Sequence, residues 1–155
     1  PEVCEATVVL TQIVGEFSEK AEANQLEMVV ECPQPPVEIY VDGRHLWRII
    51  DNLMGNICKY AQPGTRVYVT LEKFHGMVIM TFRNISKDRL KMTSEELFGR
   101  FVRGDSSRNT EGHGLGLSIA KSLTELMHGN LAVQMDGDLF KVILSFEEYQ
   151  EDKKQ

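Results

Sequence analysis

Asn52, Asn56 and Lys59 follow one another at intervals of four and three residues, the spacing that stacks side chains on one face of an α-helix. Arg48 precedes them by one turn and Tyr60 follows directly. Asparagine is a mediocre helix former, because its amide competes for backbone hydrogen bonds. Two asparagines one turn apart, with Gly55 between them, break local rules, and such breaks are expected at functional sites. An amide oxygen can ligate a hard cation such as Mg²⁺, and a lysine one turn on can neutralise phosphate. The pattern suits a metal–phosphate group. A solvated polar face is the bland alternative.

A second constellation lies further along. Glu111-Gly112-His113-Gly114-Leu115-Gly116-Leu117 opens into a helical pattern. Glycines let backbone N–H groups approach an anion, and a helix N-terminus adds unpaired donors and a favourable dipole. Glycine-rich turns before helices also arise from packing alone, so the motif gains force only beside the first one. The segment before it holds Arg100, Arg103 and Arg108 with only Asp105 opposing them. A local basic cluster suggests contact with a polyphosphate, against the alternative of an idle surface loop. Phe98 and Phe101 would anchor this segment and Gly99, Gly104 and Gly112 would let it move, so residues 85–111 read as a lid.

The elements that must position these residues are legible in the apolar periodicity. Leu46, Ile49, Ile50, Leu53, Met54 and Ile57 form one helical stripe, with Asp42 as a plausible N-cap and Pro63-Gly64 in the closing turn. Residues 7–23 read as a first helix, 26–31 and 37–41 as short strands, and 66–74 with 77–82 as a hairpin turned at His75-Gly76. A short helix is expected at 94–98 and a longer one at 115–127. Strands at 130–135 and 139–146 close the chain as a second hairpin. Helices are few and strands pair locally, so the expected fold class is a two-layer α/β sandwich with a mixed, mostly antiparallel sheet and about three helices on one face.

With 155 residues, 42% hydrophobic and 26% charged, the composition is that of one ordinary globular domain. A net charge of −6 argues against nucleic-acid binding. Cys4, Cys32 and Cys58 form no CxxC pair and read as reduced thiols, Cys58 beside the buried stripe. No apolar run approaches a membrane span. The domain is expected over residues 1–147, with a charged tail at 148–155.

The motifs together resemble the GHKL ATPase superfamily in the form found in bacterial sensor histidine kinases. Asn52-Leu53-x-x-Asn56-x-x-Lys59-Tyr60 is similar to its N box, Glu96-Leu97-Phe98-x-Arg100-Phe101 to its F box, and Gly112-x-Gly114-Leu115-Gly116-Leu117 to its second glycine box. The resemblance implies the Bergerat fold and a catalytic domain that uses ATP and Mg²⁺ to phosphorylate a histidine on a separate dimerisation domain. It implies that Asn56 ligates Mg²⁺, that Asn52 supports the phosphate end, that Lys59 meets phosphate and that Tyr60 packs on the nucleotide. Gly112, Gly114, Leu115, Gly116 and Leu117 would line the triphosphate, with Phe101, Arg103 and Arg108 contributed by the lid. It further implies a downstream response regulator and a homodimeric full-length protein, with this domain monomeric and cytoplasmic on a membrane-anchored sensor.

Two departures stand out. The family's first glycine box supplies an adenine-reading aspartate in an Asp-x-Gly-x-Gly setting; here Phe82-Arg83-Asn84-Ile85-Ser86 offers Asn84, as in a branch of sensor kinases with Asn-x-Ser. Its amide oxygen can still accept from adenine N6, without charge. His113 stands where a small hydroxyl residue is usual. None of the four histidines has phosphoacceptor context. Two alternatives remain at this level: a GHKL-type ATPase, whose general-base glutamate is replaced here by Asn52, and a nucleotide-sensing module that transfers nothing.

Overall fold

The structure, a computed structural model, describes residues 1–33, 35–88 and 116–151. The chain runs β1 (Glu2–Glu5), α1 (Ala6–Gly15), α2 (Ser18–Ala23), β2 (Glu27–Glu31), β3 (Glu38–Val41) and α3 (Gly43–Tyr60). It continues through β4 (Arg66–Phe74), β5 (Met77–Ile85), α4 (Gly116–Leu126), β6 (Asn130–Asp136) and β7 (Leu139–Glu147). Strands β2-β4-β5-β7-β6 form a five-stranded sheet, and β1 pairs β3 separately. Only β2 and β4 run parallel in the larger sheet. The two-layer α/β sandwich is as expected, with the helices on one face.

Strict alternation separates the two faces of that sheet. Val67, Val69 and Leu71 on β4, Val78, Met80 and Phe82 on β5, and Val142, Leu144 and Phe146 on β7 are all buried. They meet the α3 stripe of Leu46, Ile49, Ile50, Leu53, Met54 and Ile57, which is buried throughout, as is Cys58. Fully burying each such side chain stabilises by roughly 1.5–3 kcal/mol, so the stripe dictates which face of α3 is left for chemistry. Asp42 caps α3 as its sequence position suggests, Oδ1 accepting from the Arg44 and His45 amides at 2.9 and 3.3 Å.

Three expectations need correction. The helix expected over 7–23 is two helices, because Gly15 to Phe17 close α1 with tighter bonds: the Phe17 amide donates to the Val14 carbonyl at 3.0 Å. A strand not read from the sequence, β1, precedes the first helix, and its partner β3 lies far away in sequence. And β5 runs three residues past Phe82, so Asn84 lies within the strand, opposite Phe140 of β7. The short helix expected at 94–98 lies outside the described residues. Glu148 and Tyr149, placed in the tail by sequence, donate from their amides to the Gly76 and Glu38 carbonyls, each at 2.8 Å.

Candidate nucleotide site

The helical register that buries the α3 stripe leaves Asn52, Asn56 and Lys59 on an adjoining flank. Asn52 and Asn56 are half-buried and Lys59 is exposed. Among the described residues, two atoms there are sealed from solvent yet lack a hydrogen-bond partner: Asn52 Nδ2 and Asn56 Oδ1. An orphaned buried polar group costs roughly 1–3 kcal/mol, so such atoms call for an explanation, often a missing ion or ligand. One is a donor and the other an acceptor, a single turn apart. A donor suits a phosphate oxygen; a bare amide oxygen suits a hard cation. The residues fit a magnesium–phosphate group.

The Lys59 ammonium lies 5.5 Å from the centroid of the half-buried Tyr60 ring, a cation–π contact that holds both at the C-terminal end of α3. That end is stitched to the end of β5. The Lys87 amide donates to the Tyr60 carbonyl at 2.9 Å, the Gln62 amide to the Ile85 carbonyl at 2.7 Å, and Ala61 bridges Ser86. The Ser86 amide in turn donates to the Asp138 carbonyl at 2.8 Å. Asn84, two residues before that bridge, points to the helix side of the sheet like Phe82 and is 4% exposed. Backbone bonds thus bring Tyr60 and Asn84, distant in sequence, to one end of the fold.

Gly116 and Leu117 begin α4, which packs on α3. Leu117 is buried, so it supports the site from the core. Among the described residues, a methyl group at Gly116 would meet nothing within 4 Å. Ser118, on the same first turn, has a buried hydroxyl without a partner among the described residues. Sequence reasoning passed over it, since a serine after a glycine-rich turn carries no signal of its own. Phe101, Arg103, Arg108, Gly112, Gly114 and Leu115 lie outside the described residues. Burial pushes the Cys58 thiol upward, only partly offset by the charge of Lys20, which keeps it protonated in the core rather than reactive.

The frame is an α/β sandwich with two half-buried asparagines one turn apart on α3 and a buried asparagine near the end of β5. Residues 41–150 match the family of histidine kinase-, DNA gyrase B-, and HSP90-like ATPases, and the chain belongs to that family. It is 31% identical over 147 residues to the sensor histidine kinase RppB of Synechocystis, covering 92% of this chain and 32% of RppB. It is 38% identical over 107 residues to the probable sensor protein PcoS of Escherichia coli, covering 66% of this chain and 23% of PcoS. The chain spans between 22% and 39% of the length of the curated relatives it matches. The fold superposes on the catalytic domain of the histidine kinase ThkA with a TM-score of 0.79, at 18% identity over 94% of each chain.

Proposed function

We propose that this chain binds ATP with Mg²⁺ and transfers the γ-phosphoryl group to a histidine on a dimerisation domain of the same sensor protein. The observation that carries this is the pair of sealed, unpartnered atoms Asn52 Nδ2 and Asn56 Oδ1. Asn56 would hold the metal, whose chemistry is to neutralise the charge of the phosphates. Asn52 donates to the phosphate end and Lys59 adds a positive charge. Tyr60 packs on the nucleotide, and Asn84 reads the base. Gly112, Gly114, Leu115, Gly116 and Leu117 would contribute the glycine-box wall, and Phe101, Arg103 and Arg108 the lid, by their match to the family's motifs.

The residue at position 52 favours transfer over hydrolysis. An amide cannot accept a proton from water, so a hydrolytic ATPase would lack its base. Asp51 is next in sequence but about 100° around the helix, on a different side. Transfer requires an acceptor, which the proposal places outside this chain, with a response regulator downstream. In the same reading the domain works on the cytoplasmic side of a sensor; among the described residues no helix is long and apolar enough to cross a membrane.

The test is incubation with γ-labelled ATP and Mg²⁺, alone and with the dimerisation domain supplied in trans. Acid-labile label should appear on the added domain and not on this chain. Label on this chain, or free phosphate released without the acceptor, contradicts the assignment.

A further inference from the structure

Five buried side-chain polar atoms among the described residues lack a partner. Those of Asn52, Asn56 and Ser118 lie on the helices and belong to the site above. The other two, Thr70 Oγ1 and Arg83 Nε, lie on the opposite, helix-free face of the sheet: Thr70 alternates with the buried Val69 and Leu71, and Arg83 with the buried Phe82 and Asn84.

Register sharpens the observation. Arg83 pairs directly with Tyr68 on one side and with Lys141 on the other. Lys141 faces the same way, since Phe140 and Val142 on either side of it are buried. Two cations directly opposite on neighbouring strands repel each other. The Arg83 guanidinium is held 5.6 Å from the Tyr68 ring centroid, which fixes its plane. The nearby Arg66 has a counterion in Glu27 at 3.5 Å. Arg83 and Lys141 have none: Glu27, Glu31, Glu72, Asp136 and Glu147 share this face, yet among the described residues no carboxylate comes within 4 Å of either cation. Thr70 and Thr81 pair in the next row, beside the half-buried Ile143.

We propose that this open sheet face is a docking surface for a partner protein, with Arg83 and Lys141 together receiving a carboxylate of that partner. A guanidinium fork matches a planar carboxylate, and the ammonium beside it adds a point charge. The half-buried Ile79 and Ile143 lie on the same face, and apolar side chains beside the cation pair suit a protein segment better than a small anion. In a chain of net charge −6, an uncompensated cation pair is a local exception that an acidic residue complements. The surface lies across the sheet from the nucleotide site and does not depend on that assignment.

The test is amide-resolved NMR of the full chain titrated with three probes: a short acetylated peptide alternating Glu and Val, the same peptide with Gln for Glu, and inorganic phosphate. The Glu peptide should shift Tyr68, Thr81, Arg83 and Lys141. Its affinity should fall about tenfold in Lys141→Gln and in Arg83→Gln, the loss expected for one charge-assisted hydrogen bond. Lys141→Gln should also raise the thermal midpoint of the free chain by relieving repulsion. Equal shifts from the Gln peptide, shifts confined to the edge strands β2 or β6, no shift on this face, or a response to phosphate alone (an adventitious ion only) would each overturn the proposal. A lower midpoint for Lys141→Gln would show instead that the pair is structural.

Discussion

The Lys87 amide donates to the Tyr60 carbonyl at 2.9 Å, and this one bond joins the last residue of α3 to the segment just beyond β5. Through it, the helix that carries Asn52 and Asn56 is fixed against the strand that carries the buried Asn84. In the proposed reading, the bond would let residues from separate stretches act on one ligand.

Asn56 is the sharpest position to change. Its Oδ1 is buried without a partner among the described residues, so in the free chain it costs desolvation without a compensating bond. Asn56→Ala should leave the thermal midpoint unchanged or slightly higher, while Mg²⁺-dependent ATP affinity falls by at least about tenfold, or roughly 1.4 kcal/mol. A sharp fall in midpoint with affinity intact would remove the metal-ligand role.

Asn84 should separate base from phosphate recognition. Asn84→Ala should weaken ADP and ATP alike by about 1–3 kcal/mol, the usual penalty for an unpaired buried polar partner. Calorimetry with both nucleotides decides it. Asn84→Asp should still bind, because a carboxylate also accepts from adenine N6. At a position only 4% exposed, however, the charge should destabilise the free chain through desolvation. Wild-type affinity in the alanine variant would show that the base is read elsewhere.

Two glycines predict opposite responses to the same substitution. Gly55 sits inside α3 with nothing within 4 Å of an added Cβ, so Gly55→Ala should stabilise by about 0.5–1 kcal/mol through helix propensity. At Gly129 an added Cβ would collide with the Phe146 ring and lie 2.8 Å from the Ser145 carbonyl oxygen. The carbonyl belongs to a paired strand and cannot yield, so Gly129→Ala should cost on the order of 1–3 kcal/mol. Urea midpoints for the two variants should move in opposite directions.

The cap of α3 carries a pH signature. Desolvation alone would raise the Asp42 carboxyl, but hydrogen bonds from the His45 and Arg44 amides and the charges of those two side chains outweigh it and hold it below its ordinary 3.8. A lowered folded value means stability present above the unfolded value and lost as pH falls through the folded one. The stability difference between the native chain and Asp42→Asn should therefore shrink as pH falls below 3.8. A difference independent of pH in that window would show that the carboxylate's charge contributes nothing.

Much of the site was legible because α3 is so regular. Six apolar residues in helical register identify the buried side, and what remains on the flank is chemistry by elimination. The hairpin of β4 and β5 was equally plain, since His75 and Gly76 both adopt positive φ, as a two-residue turn requires. Other features had no local signal. The strand β1 is four residues long and exists only through β3, a pairing that periodicity cannot see. Arg83 and Asn84 look like the end of a strand because they are polar; they remain in β5 because β7 supplies Lys141 and Phe140 opposite them. The orphaned atoms of Asn52, Asn56 and Ser118 emerge only when the helices are packed. Residue type suggested the chemistry, and packing supplied the unmet valence.

The central claim is that α3 binds the metal–phosphate end of ATP, and calorimetric titration tests it most directly. ATP should bind one site per chain with Mg²⁺ present and much more weakly with a chelator. The dependence on Mg²⁺ should disappear in Asn56→Ala. Equal affinity with and without Mg²⁺ in the native chain, or full Mg²⁺ dependence in Asn56→Ala, would contradict the account.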